Sequence, residues 1–135
     1  MKIKILIVTA RYYKNFSKNL EFSASKELDG NAQYKFISVP GVFEIPVVIS
    51  KNINKYDGFI SLGCVIKGET PHFDFISKAA TDAIMKLSVD YKKPIGNGIL
   101  TTLNKKQAFL RSKKKGREAA KAVLSILKIF NENSK

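Results

Sequence analysis

The sequence predicts an α/β fold in which a four-stranded parallel sheet is covered on both sides by helices. Three observations carry that prediction. The segment 3–9, IKILIVT, is a near-continuous β-branched run, the pattern of a strand buried on both faces. Short apolar segments of this kind alternate along the chain with helical stripes, the order expected of βα units. No repeat, linker or low-complexity stretch interrupts the 135 residues, so one domain over 1–135 is expected, long enough to bury an ordinary core.

The elements follow in order. After the first strand, 12–18 reads as a polar and aromatic loop leading into a helix that stops near Asp29-Gly30, where glycine is a natural C-terminal stop. A second strand covers 34–39 and Pro40-Gly41 turns the chain. A helix follows over about 43–53, with Ile45, Val48 and Ile49 on one face. The third strand spans 57–62 and runs into a glycine-bracketed loop, 63–68. Thr70 then caps a helix with Pro71 at its first position. That helix carries Ile76, Ala79, Ala80, Ala83, Ile84 and Leu87 as a stripe. The fourth strand is 98–102, within 94–103. Asn104 caps a short helix over 107–110, and a last helix over 117–130 places Ala119, Ala120, Val123, Leu124, Leu127 and Phe130 on one face. Parallel sheets of this kind bind ligands at the carboxyl ends of their strands. The loops at 11–13, 40–44 and 64–70, and the region beyond 102, are expected to share that edge.

Composition narrows the function classes. No apolar run approaches a membrane span, and the N-terminal alternation of Lys and Ile has no signal-peptide pattern. Cys64 is the only cysteine, so an intramolecular disulfide is excluded and a reducing, cytoplasmic setting is expected. The net charge of +13 raises nucleic-acid binding as an alternative. Against it, only three of the 24 basic residues are Arg (Arg11, Arg111, Arg117), and the lysines are spread along the chain apart from Lys113-Lys114-Lys115. Solvated lysines account for such a pattern, and neither a membrane nor a nucleic acid is expected as partner.

The stretch 63–75, GCVIKGETPHFDF, holds the densest chemistry. It brings the only histidine, His72, to the start of a helix, where main-chain N–H groups and the helix dipole attract anions, phosphate above all. Gly68, Glu69 and Thr70 can present N–H groups and a hydroxyl to a phosphate, or form a plain loop with a capping threonine. His72 can act as general acid and base, or only hold structure through hydrogen bonds. Asp74, two residues on, points away from it on a helix, so no His-Asp dyad is implied. Arg111 can clamp a phosphate or lie solvated on the surface. Tyr12 and Tyr13 can stack on a flat heterocycle or fill core. Glu44, inside apolar surroundings, can accept hydrogen bonds from a polyol or favour a helix N-terminus. Cys64 lacks the companions of a metal site, and no Walker, dinucleotide-binding or zinc motif is present.

Three segments together, VPGVFEIP (39–46), GCVIKGETPHFDF (63–75) and PIGNGILTT (94–102), resemble the lumazine synthase family over about residues 3–130. The resemblance implies a flavodoxin-like three-layer α/β/α sandwich. It also implies condensation of 5-amino-6-(D-ribitylamino)uracil with 3,4-dihydroxy-2-butanone 4-phosphate to 6,7-dimethyl-8-ribityllumazine, the penultimate step of riboflavin biosynthesis, with no metal or organic cofactor. By the same resemblance Tyr12 takes the place of the aromatic, usually Phe, that stacks on the pyrimidine. Val42, Phe43 and Glu44 match the segment that binds the ribityl chain, and Cys64, Val65 and Ile66 the backbone edge that reads the pyrimidine. Glu69 and Thr70 match the phosphate loop and His72 the proton-transfer residue. Asn97 and Arg111 match a pyrimidine-side position and a phosphate-binding arginine contributed by a neighbouring subunit.

The family further implies a homopentamer with sites between subunits, and riboflavin synthase as a possible pathway partner. The intact Gly-Glu-Thr-Pro-His segment favours lumazine synthase over the archaeal-type riboflavin synthase that shares the fold. The connection 111–116 is shorter than the family's usual glycine-rich one, so Lys115 has no matched role. The chain also begins at its first core strand, without the extension that in many relatives adds to a neighbour's sheet. Both departures point away from a shell of stacked rings.

Overall fold

The computed structural model describes residues 2–133. One parallel sheet holds β1 (Lys4–Ala10), β2 (Gln33–Val39), β3 (Gly58–Ile66) and β4 (Ile95–Thr102) in the order β2-β1-β3-β4. The helices are α1 (Lys14–Leu28), α2 (Ile45–Lys51), α3 (His72–Tyr91) and α4 (Lys105–Asn133). The flavodoxin-like three-layer sandwich is observed. The unbroken apolar run of β1 follows from its central place. Ile5 and Ile7 pack with Leu20 and Leu28 of α1 and with Ala119, Ala120 and Val123 of α4. Leu6 and Val8 turn to the opposite layer, against Ile45 and Ile49 of α2 and Ala80 and Ile84 of α3. Each face of a central strand is thus a core face, and period-two alternation disappears from its sequence.

The third strand is longer than expected. Residues 63–66, read as loop, continue the ladder, with Gly63↔Ile99, Cys64↔Leu100, Val65↔Thr101 and Ile66↔Thr102 in register. Glycine usually weakens a strand interior, yet Gly63 lies inside β3. Here it answers a packing need: a Cβ would lie 2.8 Å from Val42 Cγ2 and 3.0 Å from the Cβ of Ala10. Glycine lets the segment after β2 close over the strand. That segment is one turn of 3-10 helix, Val42–Glu44, followed by α2, rather than a single helix over 43–53. The helix expected from Pro71 begins at His72, with Pro71 before it.

The largest correction concerns the C-terminal region. The expected short helix over 107–110, connection 111–116 and last helix from 117 are one continuous helix, α4. Gly116 therefore lies in a helix interior, where it costs up to about 1 kcal/mol relative to Ala. Its reason is contact with α1: a Cβ at Gly116 would fall inside contact distance of the Leu20 carbonyl oxygen and 2.5 Å from Ser23 Oγ. Nearby, the Asn19 amide donates to Ser112 Oγ (3.1 Å), tying the same two helices. The stripe on α4 buries Ala119, Ala120 and Val123 but leaves Phe130 exposed.

Gly116→Ala tests that contact. Alanine favours the helix by about 1 kcal/mol, whereas overpacking against rigid backbone costs about 1–3 kcal/mol. The Leu20 carbonyl cannot rotate aside, so we expect net destabilisation, read as a lower urea midpoint in circular dichroism at 222 nm, the helix band. A midpoint equal to or above wild type would mean that α1 and α4 separate freely.

Candidate active site

The strand order reverses at β1, with β2 on one side and β3 on the other, so the carboxyl ends of β1 and β3 flank a crevice. A cleft of about 490 Å³ occupies it, within the usual range of small-molecule sites. The loop after β1 supplies Tyr12 and Tyr13, and the turn after β2 supplies Gly41, Val42, Phe43 and Glu44. The end of β3 supplies Cys64, Val65 and Ile66, and α3 supplies His72 and Ile76. Eight of the twelve sequence-predicted site residues (Tyr12, Val42, Phe43, Glu44, Cys64, Val65, Ile66 and His72) thus line one cleft. Tyr13 and Ile76 join them. Tyr13 was legible only as one of two adjacent tyrosines, and Ile76 only as part of a core stripe.

The end of β3 has a property that follows from register. β1 pairs with β3 only as far as Thr9↔Leu62, while β4 accompanies β3 to Ile66↔Thr102. Beyond Leu62, therefore, the β1-facing side of β3 has no strand partner. Its main-chain N–H and C=O groups can meet the donors and acceptors of a planar heterocycle, as an added strand would. Val42 is buried, Glu44 is half-buried and Phe43 is exposed, so the turn after β2 offers an apolar wall and one carboxylate.

Burial pushes the Cys64 thiol up to about 11, opposed by a hydrogen bond with Thr102 and by the Arg111 charge. Cys64 is therefore a neutral thiol near pH 7, a wall of the cleft rather than a nucleophile. Burial, then the charges of Tyr12 and Cys64, also raise the Tyr13 phenol above 10.0. Among the described residues no three His, Cys, Asp or Glu side chains cluster as a metal site requires.

His72 opens α3 at the cleft wall and is exposed, with its N–H 3.4 Å from Thr70 Oγ1. Fewer main-chain donors remain at this helix start than the sequence suggested, because the Asp74 and Phe75 N–H groups donate to the Pro71 carbonyl at 3.1 and 3.2 Å. Glu69 and Thr70 are exposed beside the cleft rather than within its lining.

Asn97 and Arg111 are not brought into the same cleft. Asn97 pairs in register with Ser61, three rungs below the Cys64↔Leu100 pair, and so lies about 10 Å down the sheet. Its Oδ1 accepts from the Ile99 N–H (3.0 Å). Arg111, inside α4 rather than after a short helix, is exposed, and its Nη1 reaches the Thr101 carbonyl at 3.5 Å. The other two arginines are engaged, Arg11 with Glu21 (2.9 Å) and Arg117 with Glu27 (3.3 Å). Among the described residues, Arg111 is the arginine whose guanidinium has no carboxylate partner.

Comparison with known proteins places the chain among relatives of one family. The family model for 6,7-dimethyl-8-ribityllumazine synthase matches residues 2–131. The chain is 41% identical to the 6,7-dimethyl-8-ribityllumazine synthase of Agrobacterium fabrum, over 95% of each chain. It is 42% identical to that of Bartonella henselae, over 93% of this chain and 87% of the relative. With that of Bdellovibrio bacteriovorus it shares 37% identity, over 97% of this chain and 77% of the relative.

Proposed function

The chain belongs to the 6,7-dimethyl-8-ribityllumazine synthase family, and we propose that the cleft at the carboxyl ends of β1 and β3 is its active site. The enzyme is a transferase of riboflavin biosynthesis. It condenses 5-amino-6-(D-ribitylamino)uracil with 3,4-dihydroxy-2-butanone 4-phosphate, releasing phosphate and water. The observation that carries the site assignment is the unpartnered edge of β3 at Cys64–Ile66, lining the same cleft as the Tyr12 ring. A flat, hydrogen-bonding heterocycle fits a slot with an aromatic ring and a strip of main-chain donors and acceptors. Val42, Phe43 and Glu44 then receive the ribityl chain, with the Glu44 carboxylate accepting from its hydroxyls.

The second substrate is an anion. The loop at Gly68, Glu69 and Thr70 beside His72 places its phosphate, and the Arg111 guanidinium, without a carboxylate partner among the described residues, fits the role of clamp. Arg111 and Asn97 lie outside the cleft of their own chain, so we assign them to the cleft of a neighbouring subunit. A ring then forms the sites, and the family resemblance implies that it is a pentamer. The apolar residues Phe75, Met85 and Val89 of α3, exposed by 68%, 65% and 66%, are available to pack between subunits. Each 135-residue chain acts as one domain, in the cytoplasm, where its single cysteine stays reduced. Its product passes to riboflavin synthase.

Catalysis has a physical outline. Holding both substrates in one cleft places the uracil amine against the butanone carbonyl, and much of the acceleration comes from that positioning. Imine formation, elimination of phosphate and ring closure each move protons. His72 stands at the cleft wall beside the phosphate loop and relays them. Mixing the purified protein with both substrates should develop the absorbance of the lumazine at a rate proportional to protein. No product from active, folded protein would overturn the reading.

A further inference from the structure

We propose that Tyr13 is a positioning residue: it fixes the ring of Tyr12 in the orientation that stacks on the pyrimidine. The inference rests on the reading of this cleft as the pyrimidine site. Tyr12 is 76% exposed, and its only aromatic contact among the described residues is Tyr13, edge-to-face at 4.9 Å and 81°. An exposed tyrosine otherwise samples several rotamers and must give up that freedom when a ligand stacks on it.

Tyr13 is anchored where Tyr12 is not. Its carbonyl accepts from both the N–H and the Oγ of Ser17, each at 3.0 Å. Ser17 is buried, and its Oγ also lies 2.6 Å from the Ala10 carbonyl at the end of β1. The Tyr13 ring leans on Phe16 at 5.9 Å, and Phe16 belongs to the core between the sheet, α1 and α4. Three aromatic rings thus run from core to cleft mouth, and the middle one transmits the rigidity of the core to the exposed one. Edge-to-face pairs have the magnitude needed to hold a ring in one rotamer.

The test is calorimetric titration of Tyr13→Phe, Tyr13→Leu and Tyr12→Leu with 6,7-dimethyl-8-ribityllumazine, alongside nuclear magnetic resonance of the Tyr12 ring in tyrosine-labelled protein. Tyr13→Phe keeps the edge, so it should bind within about twofold of wild type and retain the Tyr12 ring shifts. Tyr13→Leu should bind about threefold to tenfold more weakly, with Tyr12 resonances moved to those of an exposed tyrosine and the KM for the butanone phosphate unchanged. Wild-type affinity in Tyr13→Leu, with Tyr12→Leu weakened, would overturn this inference alone. Parallel loss of both substrates and of melting temperature in Tyr13→Leu would also overturn it, as a purely structural role. Tyr12→Leu binding the lumazine as tightly as wild type would bring down the reading of the cleft, and this inference with it.

Discussion

His72→Ala should lower kcat by about 10- to 10⁴-fold while the protein folds as before. The size follows from what else the cleft offers for proton transfer. Cys64 is held as a thiol by burial, with its pKa pushed up to about 11, and burial likewise raises the Tyr13 phenol above its ordinary 10.0. Glu44 lies with Val42 and Phe43, where the ribityl chain is expected. That leaves one imidazole to serve several proton transfers. Activity should not vanish, because alignment of the two substrates survives the substitution. Folding should survive too. The His72 side chain is exposed and makes no hydrogen bond or ion pair among the described residues, and alanine keeps the backbone N–H that meets Thr70. Initial rates of lumazine formation, read beside a thermal melt, decide the matter. Unaltered turnover would mean that water or the substrate phosphate carries the protons. A lost fold would make His72 a structural residue.

How much of this was legible in the sequence depended on whether a residue's reason was local. The central strand announced itself because β1 is apolar on both faces, and the helix stripes at Ile45, Ile49, Ala80 and Ile84 because each helix is apolar on the one face it buries. Two of the larger misreadings fell on glycines. Gly63 and Gly116 looked like breaks, yet each sits inside a regular element because another part of the chain comes too close for a Cβ. Nothing in the neighbouring residues records that approach. The cleft was legible through motifs at three loop positions, and the resemblance implied a backbone edge at Cys64, Val65 and Ile66, but that this edge is a continuation of β3 unpaired on its β1 side was not legible. It depends on β1 leaving the ladder at Thr9 while β4 continues to Thr102, a relation between strands far apart in the chain. Tyr13 was ambiguous for a related reason: its value comes from Ser17 and Phe16 behind it, whose packing against β1 and the core no local pattern records.

Two impaired variants, Glu44→Ala/His72→Ala and Arg111→Ala, should gain activity when unfolded together and refolded as mixed rings and assayed at limiting butanone phosphate. The expectation follows from where the side chains lie. Glu44 and His72 line the cleft, whereas Arg111 is exposed on α4 outside that lining, with no carboxylate among the described residues to hold its guanidinium. If each site takes Glu44 and His72 from one subunit and Arg111 from the next, the ring interface is head-to-tail, and each variant damages a different half of every site. Homogeneous rings of either variant are then impaired at all their interfaces. Mixed rings contain some interfaces that join one variant's intact cleft to the other's intact arginine. Alone, Arg111→Ala should raise the KM for the butanone phosphate roughly tenfold or more, since a charged hydrogen bond contributes about 1.5–3 kcal/mol. The KM for the pyrimidine should change far less. Recovery of lumazine formation after co-refolding, with light scattering to verify mixed rings, would assign Arg111 to the neighbour's site. Mixed rings without recovery would place the complete site within one subunit, and a butanone-phosphate KM unchanged by Arg111→Ala would remove the arginine from it altogether.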